Sequence, residues 1–315
     1  MFFLLFLFSF GETLAVERVN LQTVVKRISL DTDQFFLDAS EHAFLHDGRL
    51  WLVDTKTLVV FGIRLEDKDI IFWGKEGPAP FELRRRIWAF YPQDGQLSLY
   101  HGSMNSRFDT RGSLVDSEKG RWTYALYLGP QAQLFREGSR FILAHDTQTL
   151  AFEGFSVEEF GFGIRVAKFG PHILIASAGG KDDRFAFFTL DLERGHIQSV
   201  VTVEKEIRQG SKPFPPSLKR RARERGIDPS HLKLTATGVI TTCQERGFLI
   251  PEYDLFAKER KVNRSVVHTV NPETGLSGRI RISHSDWHRF SFFIPWQEHW
   301  VVFDSNENEV IIFSE

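Results

Sequence analysis

The chain has 315 residues and a formal net charge of −2, with one cysteine, 31 phenylalanines and seven tryptophans. Near-balanced charge excludes a global drive toward nucleic acid or anionic membrane, and a lone cysteine excludes an intramolecular disulfide. The aromatic excess favours strands and a large core, and the length suits one large all-β unit or two ordinary domains.

The chain opens MFFLLFLFSFGETLAVERV. Phe2 to Phe10 is an apolar run of signal-peptide length, too short to span about 30 Å of hydrocarbon as a helix. Gly11 can end that run, and Thr13-Leu14-Ala15 offers a peptidase site with Ala15 last, although a basic leader before the run is missing. The expectation is a signal peptide over 1–15, followed by one domain over 16–315 that works outside the cytoplasm, periplasmic or secreted. The competing reading is a buried N-terminal strand. No later segment is long and apolar enough to cross a membrane.

From residue 20 onward, short apolar or alternating runs are separated by turn residues. In chain order they include LQTVVKRISL (21–30), GRLWLVD (48–54), LVVFG (58–62), IIFWG (70–74), LSLY (97–100) and YALYLG (124–129). RFILAHD (140–146), ILIASA (173–178), RFAFFTLD (184–191), HIQSVVTVEK (196–205) and GFLIP (247–251) follow. SVVHTV (265–270), GRIRIS (278–283), FSFFIP (290–295), HWVVFD (299–304) and EVIIFS (309–314) complete the series. Runs of this length, rich in β-branched and aromatic residues, predict an all-β protein. Leu50 and Leu52 point one way and Trp51 and Val53 the other, so the strand is apolar on both faces and must be covered on both.

The runs recur as a unit. HDGRLWLVDTKTLVVFG (46–62) resembles QDGQLSLYHGSMNSRFDTRG (93–112), with EGSRFILAHDTQTLAFEG (137–154) a third copy and RFSFFIPWQEHWVVFDSNENEVIIF (289–313) the last. A period in the forties is that of a propeller blade of four antiparallel strands. The prediction is a six-bladed β-propeller, seven blades being the alternative, closed by pairing 21–30 with 309–314. The glycine–proline stretch IIFWGKEGPAPFELRRR (70–86) then falls at a blade end, as a crossover from the rim of one blade to the centre of the next.

GKEGPAPFEL (74–83), with DGQLSLYHGSMNSRFDTRG (94–112) after it, resembles the bacterial six-bladed β-propeller family related to the NHL-type propellers. Gly74, Gly77, Pro80 and Glu82 match that family's loop, and Leu83 replaces its aromatic. Ala79 and Phe81 stand where the family prefers glycine, and His101 where it often has Asp. The resemblance implies an extracytoplasmic propeller without one agreed activity.

Chemistry-bearing motifs are sparse. His42/His46 and His284/His288 have an i,i+4 spacing that suits a metal on a helix, but on a strand it separates the two side chains by about 13 Å. Cys243 reads as a small buried residue. Glu158-Glu159 and Asp182-Asp183 are acidic pairs, the second within GGKDDR (179–184), which reads as a tight turn; Asn263-Arg264-Ser265 has the form of a glycosylation site. One segment, IRQGSKPFPPSLKRRARERGIDPSHL (207–232), departs from the strand pattern. Ser217 can cap a short helix that Gly226 ends, and KRRARER places Lys219, Arg220, Arg221, Arg223 and Arg225 together as an anion-facing patch, unless it is simply a solvated helix. The expected function is a monomeric, non-catalytic propeller binding a protein or glycan partner, acidic if this patch is used, with no cofactor. The alternative is a calcium-dependent hydrolase or lyase of the gluconolactonase kind, with Ca²⁺ at the axis held by oxygen ligands.

Overall fold

The structure is a computed structural model that describes residues 15–30, 42–54, 57–77, 82–84, 87–119, 126–129, 132–137, 140–145, 148–152, 164–177, 184–191, 196–204, 220, 223–224, 235–254, 264–275, 277–284, 290–304 and 307–314. Its strands form six sheets, so the protein is all-β. The first two strands, β1 (Ala15–Leu21) and β2 (Thr23–Ser29), join sheets whose other strands lie late in the chain. Four-stranded meanders follow in order: β3 (Ala43–His46), β4 (Arg49–Asp54), β5 (Val59–Arg64) and β6 (Ile70–Trp73); β7 (Ile87–Gln93), β8 (Gln96–His101), β9 (Met104–Phe108) and β10 (Leu114–Lys119); β11 (Leu126–Gly129), β12 (Ala132–Glu137), β13 (Arg140–His145) and β14 (Gln148–Phe152); β15 (Ile164–Phe169), β16 (His172–Ser177), β17 (Arg184–Asp191) and β18 (His196–Glu204). The fifth sheet holds β19 (Thr235–Thr237), β20 (Thr241–Cys243), β21 (Gly247–Asp254), β22 (Arg264–Val270) and β23 (Ser277–His284), and the sixth holds β24 (Phe290–Trp296), β25 (His299–Asp304) and β26 (Glu309–Ser314).

The sheets are blades of a propeller. Their first strands touch one another: β24 meets β3, β3 meets β7, β7 meets β11 and β15, and β15 meets β20 and β21, which return to β24. Both faces of a blade are buried because each strand feeds two inter-blade cores. Leu50 and Leu52 of β4 pack with Val301 and Phe303 of β25, whereas Trp51 and Val53 pack with Phe90, Leu97 and Leu99 of the β7–β10 sheet. In β26, Val310 and Ile312 face the β3–β6 sheet while Ile311 and Phe313 face Leu249, Val267 and Ile282 of the fifth sheet. This is the two-faced alternation that the sequence of 48–54 predicts.

The crossover lies where it was expected. Gly74 leaves β6, the last strand of one sheet, and the chain re-enters as β7, the first strand of the next. Gly74 has φ of 108°, and a Cβ there would stand 2.5 Å from the Leu58 carbonyl oxygen, so only glycine fits without displacement. The loop closes on itself: the Leu83 N–H donates to the Lys75 carbonyl at 2.7 Å, the Gly77 N–H donates to the Leu83 carbonyl at 3.1 Å, and the Lys75 ammonium lies 3.3 Å from the Glu82 carboxylate. Leu83, fully buried, plugs the loop into the core between the two sheets. Ala79, Pro80 and Phe81 lie outside the described residues.

The N-terminal strands differ in part from expectation. β2 pairs antiparallel with β26 from Thr23↔Ser314 to Ser29↔Glu309, the closure anticipated for 21–30. β1 is an addition: it pairs in parallel with β23, Ala15↔Gly278 through Leu21↔His284, at the edge of the neighbouring sheet. That sheet therefore has six strands where four were expected, the extra ones being β1 and a first strand divided into β19 and β20. Gln22 alone separates β1 from β2, so one stretch of chain straps two adjacent blades. Val19 and Leu21 anchor it in the core between those blades. Glu17 pairs with Arg246 of the β20–β21 turn, whose guanidinium also lies over the Trp300 ring of the sixth sheet. Three outer strands carry bulges, at Val25 in β2, Val115 in β10 and Gln198 in β18, and both valines are exposed. Bulged edges pair poorly with a second chain.

Candidate functional site

Strand alternation sets the first half of the site. Phe90 of β7 packs into the core shared with the β3–β6 sheet, so Tyr91, one residue on, projects from the opposite face. There it meets Lys168 of β15, whose ammonium sits 5.0 Å from the Tyr91 ring centroid. β7 and β15 belong to sheets separated in the chain by the whole β11–β14 sheet. Side chains of two such blades touch only where first strands converge, at the centre of the ring.

The electrostatics of this pair are unusual. Tyr91 is 4 % exposed, and its hydroxyl has no hydrogen-bond partner among the described residues. Burial, helped by the Glu118 carboxylate, pushes the phenol pKa up, so the group is a neutral donor. Burial pulls the Lys168 pKa down, and the charge of Asp94 in the β7–β8 turn only partly offsets this. No described carboxylate lies within ion-pair distance of Lys168; its ring-face contact is a weak substitute for a counter-ion.

Several other buried polar groups are paired within the blades. His101, at the end of β8, is 1 % exposed. Its Nδ1 accepts the Arg84 N–H at 2.9 Å, its Nε2–H donates to Ser106 Oγ at 2.9 Å, and the Ser106 and Ser117 hydroxyls are hydrogen-bonded to each other at 3.2 Å. Burial, with a smaller contribution from the Arg84 charge, pulls the imidazole pKa down to about 4. The chain of bonds runs from the crossover loop across β8, β9 and β10. Asp54 and Asp304 occupy the same place at the ends of β4 and β25, both fully buried. Asp54 accepts the Thr57 N–H at 3.2 Å and the Thr57 hydroxyl at 2.7 Å. In the fifth sheet, His268 Nε2 lies 2.6 Å from Glu252 Oε1, with both side chains fully buried.

The residues singled out from sequence are dispersed. Arg220 and Arg223 are exposed and helical, in the crossover from β18 to β19, and the Arg220 guanidinium lies 3.6 Å from Glu224 one turn on. That i,i+4 pair is the solvated-helix feature of the segment; Lys219, Arg221 and Arg225 lie outside the described residues. His46 ends β3 with His42 just before it, so the strand separates them as expected. His284 packs edge-on against Phe290 at 4.8 Å between ring centroids, and His288 lies outside the described residues. Cys243 is half-buried, and burial pushes its thiol pKa up, which disfavours the nucleophilic thiolate. Glu158-Glu159, Asp182-Asp183 and Asn263 lie outside the described residues. Among the described residues, no group of three His, Cys, Asp or Glu side chains is placed to hold a metal ion, and no helix is long and apolar enough to cross a membrane. Sequence reasoning missed Tyr91 and Lys168; the available signal was a lone lysine near the end of a short, otherwise mostly apolar run, IRVAKF.

No protein-family model matches the sequence, and no curated protein matches it. Solved structures share the fold. A member of the DUF4221 family from Bacteroides vulgatus aligns over 93 % of this chain and 96 % of its own, with 12 % identity and a TM-score of 0.57. A protein from Bacteroides fragilis assigned as exported aligns over 96 % and 99 %, with 8 % identity and a TM-score of 0.54. The WD40 domain of Neurospora crassa Pan2 aligns over 93 % and 94 %, with 8 % identity and a TM-score of 0.50. At these identities the likeness is one of fold, and it agrees with the β-propeller read from the repeats.

Proposed function

We propose that the chain is a six-bladed, NHL-like propeller that works outside the cytoplasm as a non-catalytic scaffold, binding an acidic glycan or protein through the basic insertion at 207–232. The observation that carries this reading is the exposure of Arg220 and Arg223 on helical backbone, inserted between an outer strand and the next first strand, where the other described elements are strands. Six described sheets support the blade count. The apolar run Phe2–Phe10 and the Thr13-Leu14-Ala15 site support export, and cleavage after Ala15 leaves Val16–Leu21 to pair with β23. The exported protein of Bacteroides fragilis, alike in fold, is consistent with that compartment.

The test is binding of polygalacturonate, with neutral dextran as control, at rising salt. Wild type should bind only the acidic polymer, and more weakly as salt screens the exposed charges. Changing Arg220, Arg221, Arg223 and Arg225 to Ser should weaken binding while leaving Tm nearly unchanged. Binding that ignores both salt and the substitutions contradicts the reading. Mass spectrometry of secreted protein should find Val16 at the N-terminus; an intact Met1 on cytosolic protein contradicts export.

A further inference from the structure

We propose that the centre of the ring is a second, separate binding site, in which the Lys168 ammonium and the Tyr91 hydroxyl together hold the carboxylate of a small organic acid such as a uronic acid sugar. Two independent observations meet there. Lys168 is a half-buried cation with an aromatic face beneath it and no described carboxylate within ion-pair distance. Tyr91 is more than nine-tenths buried with an unpartnered hydroxyl. A buried polar group without a partner costs stability, and such groups are normally paired. Here a charged donor and a neutral donor, from blades remote in sequence, both lack an acceptor among the described residues.

The chemistry selects the ligand. Lys168 can only donate and the Tyr91 hydroxyl can donate to the same group, so an acceptor satisfies both; one of them is cationic, so an anion is favoured over a neutral carbonyl. A carboxylate offers two oxygens and can take an ion pair from Lys168 and a hydrogen bond from Tyr91, bonds that are strong when one partner is ionised. Asp94, exposed in the β7–β8 turn, is the carboxylate nearest in electrostatic effect on Lys168. It lies beyond ion-pair reach, so it favours the charged amine without occupying the site. Phe90, Leu97 and Leu99 fill the other side of the β7–β10 sheet and keep β7 fixed.

The experiment is titration of the full-length protein with sodium galacturonate, galactose serving as the neutral counterpart. Binding is read by calorimetry and by the ¹³Cε signal of Lys168 in lysine-labelled protein. Galacturonate should bind and move the Lys168 titration midpoint upward, and galactose should do neither. Lys168→Met should weaken galacturonate binding about tenfold or more, and Tyr91→Phe by a few-fold. Lys168→Arg, which keeps the charge, should retain more affinity than Lys168→Met. Should Lys168→Met fail to fold, the wild-type ¹³Cε titration still decides. Arg220→Ser with Arg223→Ser should leave this binding unchanged, which separates it from binding at the basic insertion. Equal response to galacturonate and galactose, or no response to galacturonate at millimolar concentration, overturns the proposal. So does unaltered affinity in Lys168→Met.

Discussion

His101 and Lys168 are both bases drawn into the interior, and burial lowers the pKa of each. They differ in company. His101 has a donor on one nitrogen and an acceptor on the other, and its bonds reach the crossover loop at Arg84 and the outer strand at Ser117. Lys168 has a tyrosine ring and a distant charge. A buried base whose every valence is met holds the blade together; one whose charge is unmet costs the fold stability. Proteins retain such costs where binding needs them. The comparison therefore predicts opposite signs when the two are removed.

The largest loss should come from His101→Ala. It opens space in the β7–β10 sheet and strands the Arg84 N–H, costing about 3 kcal/mol, measurable by urea denaturation. The same residue gives a pH signature. Its folded pKa, about 4, lies below the unfolded value of 6.5. The unfolded chain thus binds the proton first, and stability falls as pH drops from about 6.5 to 4, then levels. Integrated over that window the effect is about 3 kcal/mol, and His101→Asn should remove that part of the slope.

A loss of about 2–3 kcal/mol is expected for Gly112→Ala. Gly112 has φ of 85°, and an added Cβ would fall within the Trp73 indole, which packs against Phe108 at 4.6 Å between ring centroids. Asp54→Ala should cost about 1–2 kcal/mol, through loss of the Thr57 turn cap. A smaller loss here than at His101 would show that the same place in the repeat contributes unequally from blade to blade. Thermal melts of both variants check this.

Lys168→Met should change stability by roughly 1 kcal/mol or less, and upward, since it removes a desolvated charge while sacrificing one ring-face contact. The sign follows from linkage. A base with lowered pKa destabilises fully while charged in both states and is relieved as pH rises through its folded pKa, so the gain should be complete at neutral pH and shrink in alkali. Arg220→Ser with Arg223→Ser should leave Tm essentially unmoved, since both side chains are exposed.

Much of the fold was legible because propeller physics repeats. The Asp-Gly pairs of the repeats are turns with Asp47 and Asp94 at φ of 51°, as two-residue hairpins of twisted strands require. Leu50–Val53 announced burial on both faces, and 21–30 announced the closure. β1 was missed because Ala15–Leu21 follows a signal-like run and alternates weakly, and parallel pairing with β23 leaves no local mark. β10 was missed because an outer strand such as LVDSEK needs little apolar surface. The site was hidden for a different reason. Lys168 and Tyr91 meet only through the ring's convergence, and neither neighbourhood carries a motif. The His101–Ser106–Ser117 chain is likewise a matter of register, not of composition.

The most direct test of the unmet charge is the titration of Lys168 itself in the ligand-free protein, followed through its ¹³Cε resonance. The account predicts a midpoint clearly below the ordinary lysine value of 10.5, at the same salt where His101 stays neutral down to about pH 4. A midpoint at or above 10.5 would mean that Lys168 already has a carboxylate partner, and the contrast between the two bases would fail.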